Sequence, residues 1–179
     1  MIDYLKLIQR YYQNNEIAHD ILLKHSRAVA DKALELAAKH KELDIDMDFV
    51  EAGAMLHDIG IFMCDAKDLG CHGKEPYIKH GTLGAEILRK EGLEMFARVC
   101  ERHTGTGITK EDIIRQNLPL ELKDYSPVTL EEKLICYADK FFSKTNLDKA
   151  RTKEEVVKSM AKFGEESTRR IKALEALFG

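Results

Sequence analysis

The run Ala54-Met55-Leu56-His57-Asp58-Ile59-Gly60 ends an apolar segment in two adjacent proton- and metal-binding side chains, followed at once by a glycine. Upstream, Phe49, Val50, Gly53, Ala54 and His57 recur at the three- and four-residue spacing of one helix face. Gly60 reads as the stop of that helix. A histidine and an aspartate are therefore expected side by side where a helix leaves the core. A buried carboxylate without a partner is costly, so the fold has to surround Asp58 with water, a hydrogen-bond network or a metal.

The remaining sequence narrows that choice. Almost every periodic stretch is helical, over about 2–13, 16–40, 46–58, 81–91, 93–103, 109–116 and from 129 onward. Asp46, Thr129 with Glu132 and Thr152 with Glu155 are helix-starting caps. Pro76, Pro119 and Pro127 fall in connections, and no alternating strand pattern exceeds a few residues. The expected architecture is an all-α helical bundle forming a single domain over residues 1–179, with a helical pair at 152–178 that serves as core packing, a lid or a dimer surface. The 60–79 stretch is long for a connector, so a lid is expected there.

Composition excludes several function classes. With 179 residues, 44% hydrophobic and 33% charged, the chain is that of an ordinary globular protein. A net charge of -3 argues against bulk nucleic-acid binding. No apolar run approaches the ~20 residues that a membrane-spanning helix needs. The first residues lack a signal-peptide pattern, and Cys64, Cys71, Cys100 and Cys136 contain no CxxC pair. Reduced thiols in a cytoplasmic protein are the expectation.

Helix faces select the other candidates for chemistry. His25 shares a face with Ile17, Ile21, Ala28 and Val29; His103 follows Phe96, Val99 and Cys100; Asp139 lies with Ile135 and Phe142; His80 opens the face of Leu83 and Ile87. Each alone is more often a hydrogen-bonded core residue than a ligand. Together with His57 and Asp58 they give four imidazoles and two carboxylates directed inward, a mixed nitrogen and oxygen set that suits Fe, Mn, Zn, Co or Ni. Six ligands exceed one tetrahedral site and fit two metals with a carboxylate to bridge them.

His25, the doublet His57-Asp58 within His57-Asp58-Ile59-Gly60, and Asp139 within Tyr137-Ala138-Asp139-Lys140 resemble the H…HD…D signature of HD-domain metal-dependent phosphohydrolases, across about residues 20–145. His80 and His103 match the two extra histidines of subfamilies that hold a dinuclear centre. The resemblance implies an α-helical bundle in which Asp58 bridges two divalent metals, with Fe or Mn preferred and Mg also allowed. His25, His57 and Asp139 would complete one site, and His80 and His103 the other. The sequence after His103, Thr104-Gly105-Thr106-Gly107, lacks the GYP element of cyclic-di-GMP phosphodiesterases, and no synthetase domain accompanies the region.

The resemblance implies hydrolysis of a phosphoester or phosphoanhydride in a small phosphorylated substrate such as a nucleotide, with His57 and Asp58 at the catalytic centre and a metal-activated water as nucleophile. Lys79, Lys74, Arg102 and Lys140 are the cations expected to hold the phosphate. Two other readings share the ligand set: a mixed-valence di-iron oxygenase, and a nonenzymatic nucleotide-binding module. A homodimer is left open.

Overall fold

In a computed structural model, described over residues 2–147 and 149–179, the chain is all-α apart from one pair of two-residue strands. Among the described residues the helices are α1 (Tyr4–Tyr12), α2 (Glu16–Lys39), α3 (Met47–Leu56), α4 (His80–Lys90), α5 (Glu94–Arg102), α6 (Lys110–Gln116), α7 (Leu130–Asp139), α8 (Lys153–Ala161) and α9 (Glu165–Phe178). The capping residues act as their chemistry requires. Asp46 accepts from the Phe49 amide, and Thr129 and Thr152 form reciprocal capping boxes with Glu132 and Glu155.

The long helix α2 is the spine. Asn15 caps it, and it buries Ala18, Leu22, His25, Val29, Ala30, Ala33, Leu36 and Ala37 against α3 and α7. Four alanines in that stripe let neighbouring backbones approach closely, so His25, His57 and Asp139, carried by three different helices, come within reach of one another. Ile17, expected on the same face, is 66% exposed although Ala18 beside it is fully buried: the buried stripe runs through Ala18, Leu22 and His25, and Ile17 lies about 80° round the helix from His25.

Two glycines set the depth of the centre. A Cβ on Gly60 would lie 2.4 Å from both the Gly84 amide nitrogen and the His80 carbonyl. The turn after Asp58 therefore touches α4 backbone to backbone, which brings His80 against Asp58. Gly60 itself has φ -85°, so its need is space and not a left-handed conformation. At Gly81 a Cβ would meet the Cys100 carbonyl at 2.5 Å, so α4 and α5 also cross closely and carry His80 toward His103.

The 60–79 stretch differs from the expected lid. It is a folded wall with short 3₁₀ turns and an antiparallel pair of strands, Asp65–Ala66 and Cys71–His72. Ile61, Cys64, Leu69 and Cys71 are buried, and the Asn15 side chain donates to the Gly70 carbonyl at 2.8 Å. All four cysteines are free thiols. The C-terminal pair is core packing: Val156, Ile171, Leu174 and Phe178 are buried, and the Phe178 ring stacks on Tyr137 of α7. No helix of the described residues is long and apolar enough to cross a membrane.

Candidate metal centre and cleft

The six inward groups meet. His25 from α2, His57 and Asp58 from the end of α3, and Asp139 from the end of α7 form one potential ligand group; Asp58, His80 from α4 and His103 from the end of α5 form a second. Asp58 belongs to both. Its Oδ2 lies 3.3 Å from His25 Nε2 and 3.0 Å from His57 Nε2, while its Oδ1 lies 3.4 Å from His80 Nε2 and 3.3 Å from His103 Nε2. Asp139 Oδ1 is 2.9 Å from His25 Nε2 and 3.5 Å from His57 Nε2. All six residues are buried.

The backbone orients three of these rings. His57 Nδ1 donates to the Ala54 carbonyl at 2.6 Å, His80 Nδ1 to the Tyr77 carbonyl at 2.6 Å, and His103 Nδ1 to the Cys100 carbonyl at 2.7 Å. A carbonyl only accepts, so each Nδ1 carries a hydrogen and each Nε2 is turned toward Asp58, where it presents a lone pair whenever the ring is neutral. His80 Nε2 and His103 Nε2 then face one another at 3.0 Å. Two lone pairs at that separation repel unless a cation lies between them. Asp58 Oδ1, Asp58 Oδ2 and His57 Nε2 are buried with no hydrogen-bond partner of acceptable geometry. Orphaned acceptors converging from imidazole and carboxylate fit a divalent metal bound by nitrogen and oxygen.

Electrostatics divide the centre. Burial pushes the His57 imidazole down, but Asp58 and Asp139 more than reverse this and raise it to about 9. Burial lowers His80 to about 3 and lowers His103 as well. Asp58 and Asp139 stay well below the usual carboxylate range: burial opposes ionisation, but neighbouring histidines and lysines outweigh it.

Above the centre opens a cleft of about 680 Å³, with Asp139, Lys140 and Lys144 at its floor. Tyr77, Lys67, Leu69, Phe142, Arg151, Met160 and Phe163 also line it, together with Asp65 and Asp68. The other five ligands lie behind this lining.

The expected phosphate-binding cations separate into two sets. Lys140 reaches the cleft, but it is buried, with Nζ donating to Asp139 Oδ2 at 2.6 Å and to the His103 carbonyl at 3.0 Å. It links α7 to the end of α5. Lys79 is instead paired with Glu75 at 2.7 Å and lines a separate surface groove. Arg102 turns away from the centre and pairs with the buried Glu132 at 3.1 Å. Lys74 is exposed and is not part of the cleft lining. The sequence reading missed Lys144, whose Nζ lies 2.6 Å from Asp58 Oδ2, together with Lys67 and Arg151. A basic residue five positions after Asp139 was the available signal for Lys144, but it lies beyond the helix, where periodicity no longer tells which way a side chain points.

Comparison with known proteins agrees with this geometry. The HD domain family model matches residues 22–143. An uncharacterized protein of Methanocaldococcus jannaschii is 45% identical over 121 residues, 66% of this chain and 64% of that protein. Two proteins named tRNA (cytidine(56)-2'-O)-methyltransferase are also similar. The one from Picrophilus torridus is 38% identical over 72% of this chain and 33% of its own length; the one from Thermoplasma volcanium is 33% identical over 88% and 41%. The chain thus spans less than two thirds of each of these relatives. The crystal structure of the HD domain of the L. monocytogenes phosphodiesterase PgpH shares the fold, with TM-score 0.56 and 17% identity over 93% of this chain and 94% of that one. The match at residues 22–143 contains all six converging ligands, and the chain belongs to the HD domain family.

Proposed function

We propose that this chain is a metal-dependent phosphohydrolase that cleaves a phosphoester or phosphoanhydride bond of a small phosphorylated metabolite, of which a nucleotide is the leading class. One observation carries the reading: a carboxylate shared by two ligand groups lies beside a cleft whose lining carries four cationic side chains, Lys67, Lys140, Lys144 and Arg151, against the three carboxylates Asp65, Asp68 and Asp139. Family membership and the orphaned acceptors support it.

His25, His57, Asp58 and Asp139 would hold one divalent ion, and Asp58, His80 and His103 a second, with Fe or Mn suited to the ligand set. When bound, the metals supply an acidified water and positive charge for the phosphoryl oxygens. The protein's own groups do the rest. The three carbonyl-anchored imidazoles keep their lone pairs directed inward without rotamer freedom. Lys140 fixes the Asp139 carboxylate against the His103 backbone, so the two ligand groups keep one spacing. Lys67 and Arg151 offer charge to a substrate phosphate where the cleft is open.

The test is release of inorganic phosphate or a nucleoside by protein loaded with Mn²⁺ or Fe²⁺, against a panel of nucleotides and simple phosphoesters. Turnover that needs metal and disappears in Asp58→Asn supports the reading. Metal-loaded protein that hydrolyses none of the panel but consumes oxygen would replace it with oxygenase chemistry.

A further inference from the structure

The cleft floor carries two ammonium groups, and they are held in different ways. Lys140 is fastened by hydrogen bonds to Asp139 and to the His103 carbonyl. Lys144 Nζ approaches Asp58 Oδ2 to 2.6 Å, yet neither Asp58 oxygen has a hydrogen bond of acceptable angle. Its other neighbour is the face of Tyr77, 5.9 Å from the ring centre. Lys144 is thus held by a close charge contact with Asp58 and a cation–π contact with Tyr77 and, among the described residues, by no backbone carbonyl of the kind that fastens Lys140.

The oxygen it touches is the contested one. Asp58 Oδ2 is also the atom nearest His25 Nε2 and His57 Nε2, within the four-residue ligand group. A divalent ion on that oxygen and an ammonium beside it repel, so one must yield. Lys144 is the one that can move, once the metal takes over its charge pairing with Asp58. It lies on the tight turn closed by the Asn146 amide on the Ser143 carbonyl, and its four-carbon stem lets Nζ travel without moving the backbone. The place for it to go is the cleft it already lines beside Lys67 and Arg151.

We propose that Lys144 is a tethered counter-ion that competes with a metal ion for Asp58 and, once displaced, helps hold the anionic group of the substrate. Without metal, its charge is spent on Asp58; with metal, the same charge is released into the cleft. Anion affinity therefore follows metal loading. This rests on the metal-centre reading above.

The experiment is calorimetric titration of metal-stripped wild type, Lys144→Met and Lys144→Arg with Mn²⁺, then of the loaded proteins with inorganic phosphate, alongside melting curves with and without metal. Lys144→Met should bind Mn²⁺ roughly tenfold tighter, within the range by which groups flanking a metal site tune its affinity. It should bind phosphate roughly tenfold more weakly, as loss of a charge-assisted contact predicts. Its metal-free form should melt below wild type and gain more on adding Mn²⁺, while Lys144→Arg keeps the wild-type metal-free melting temperature. If Lys144→Met is unfolded without metal, Mn²⁺ should restore its fold; failure to do so overturns the proposal. Equal Mn²⁺ affinity in wild type and Lys144→Met overturns the competition, and equal phosphate affinity overturns the anion role. Wild type that takes up no Mn²⁺ or Fe²⁺ removes the metal-centre reading itself, and the proposal with it.

Discussion

The two halves of the centre share Asp58 but are built from opposite materials. The half formed with His25, His57 and Asp139 contains both carboxylates and has two lysines against it. The half formed with His80 and His103 contributes imidazoles alone around the shared oxygen. The consequence appears in the rings: the acidic half holds His57 up at about 9, whereas burial lowers His80 to about 3. One half attracts any cation, including a proton or an ammonium. The other presents neutral lone pairs that gain little from a proton and more from a metal. The two positions should therefore differ in metal affinity, with the four-ligand, carboxylate-rich half the tighter.

The largest effect should come from the residue the halves share. Asp58→Asn leaves an amide whose nitrogen cannot ligate and whose oxygen carries no full charge, so both groups lose their common ligand. Metal content should fall toward zero, and activity by more than the roughly 10–100-fold that loss of an outer-shell partner costs. Elemental analysis with steady-state kinetics checks this; an Asp58→Asn protein that keeps both metals would show that the halves do not depend on a bridge.

Next in size are substitutions that strike one half. His103→Ala removes one of three ligands from the histidine half and leaves all four of the other. One tight equivalent of metal should remain out of an expected two. Asp139→Asn should do the reverse damage, weakening the tighter equivalent and also freeing Lys140 from its carboxylate partner. Titration of Mn²⁺ followed by electron paramagnetic resonance would separate these outcomes. Loss of both equivalents in either variant would mean that the halves are one site.

How much of this contrast could be read in the sequence depends on the range of the interaction. The inward direction of His25, His103 and Asp139 follows from helix period, because a helix face is a local property. Lys79 and Arg102 stand beside His80 and His103 in the chain, but helical neighbours point about 100° apart, which sends Arg102 to Glu132. Lys144 has no such phase, since it follows the end of α7 and reaches Asp58 from far along the chain. Gly60 reads in the sequence as a helix stop, but α3 already ends at Leu56 and Gly60 has no left-handed φ; its real constraint is the α4 backbone, a contact that no local pattern encodes.

That contact gives a prediction about stability and not chemistry. Gly60→Ala places a methyl 2.4 Å from two backbone atoms, neither of which can rotate aside. The turn and α4 must separate, at about 1–3 kcal/mol of overpacking strain. Because His80 opens α4, the same movement should loosen the histidine half while leaving His25, His57 and Asp139 in place. Denaturant midpoints should fall, and the weaker metal equivalent should be lost first. A variant with a lowered midpoint but intact stoichiometry would show that the close approach serves packing alone.

The smallest effect should come from Lys79→Ala. Its ammonium is spent on Glu75 in a partly exposed ion pair, a kind that contributes about 0.2–1 kcal/mol. It faces the groove lined by Thr82, Glu86 and Tyr125 and not the cleft above Asp139. Metal content, kcat and KM should all match wild type, against which Lys67→Ala, inside the cleft, should raise KM. If instead Lys79→Ala raised KM and Lys67→Ala did not, the substrate would enter from the α4 side, and the histidine half, not the carboxylate half, would be the one that meets it.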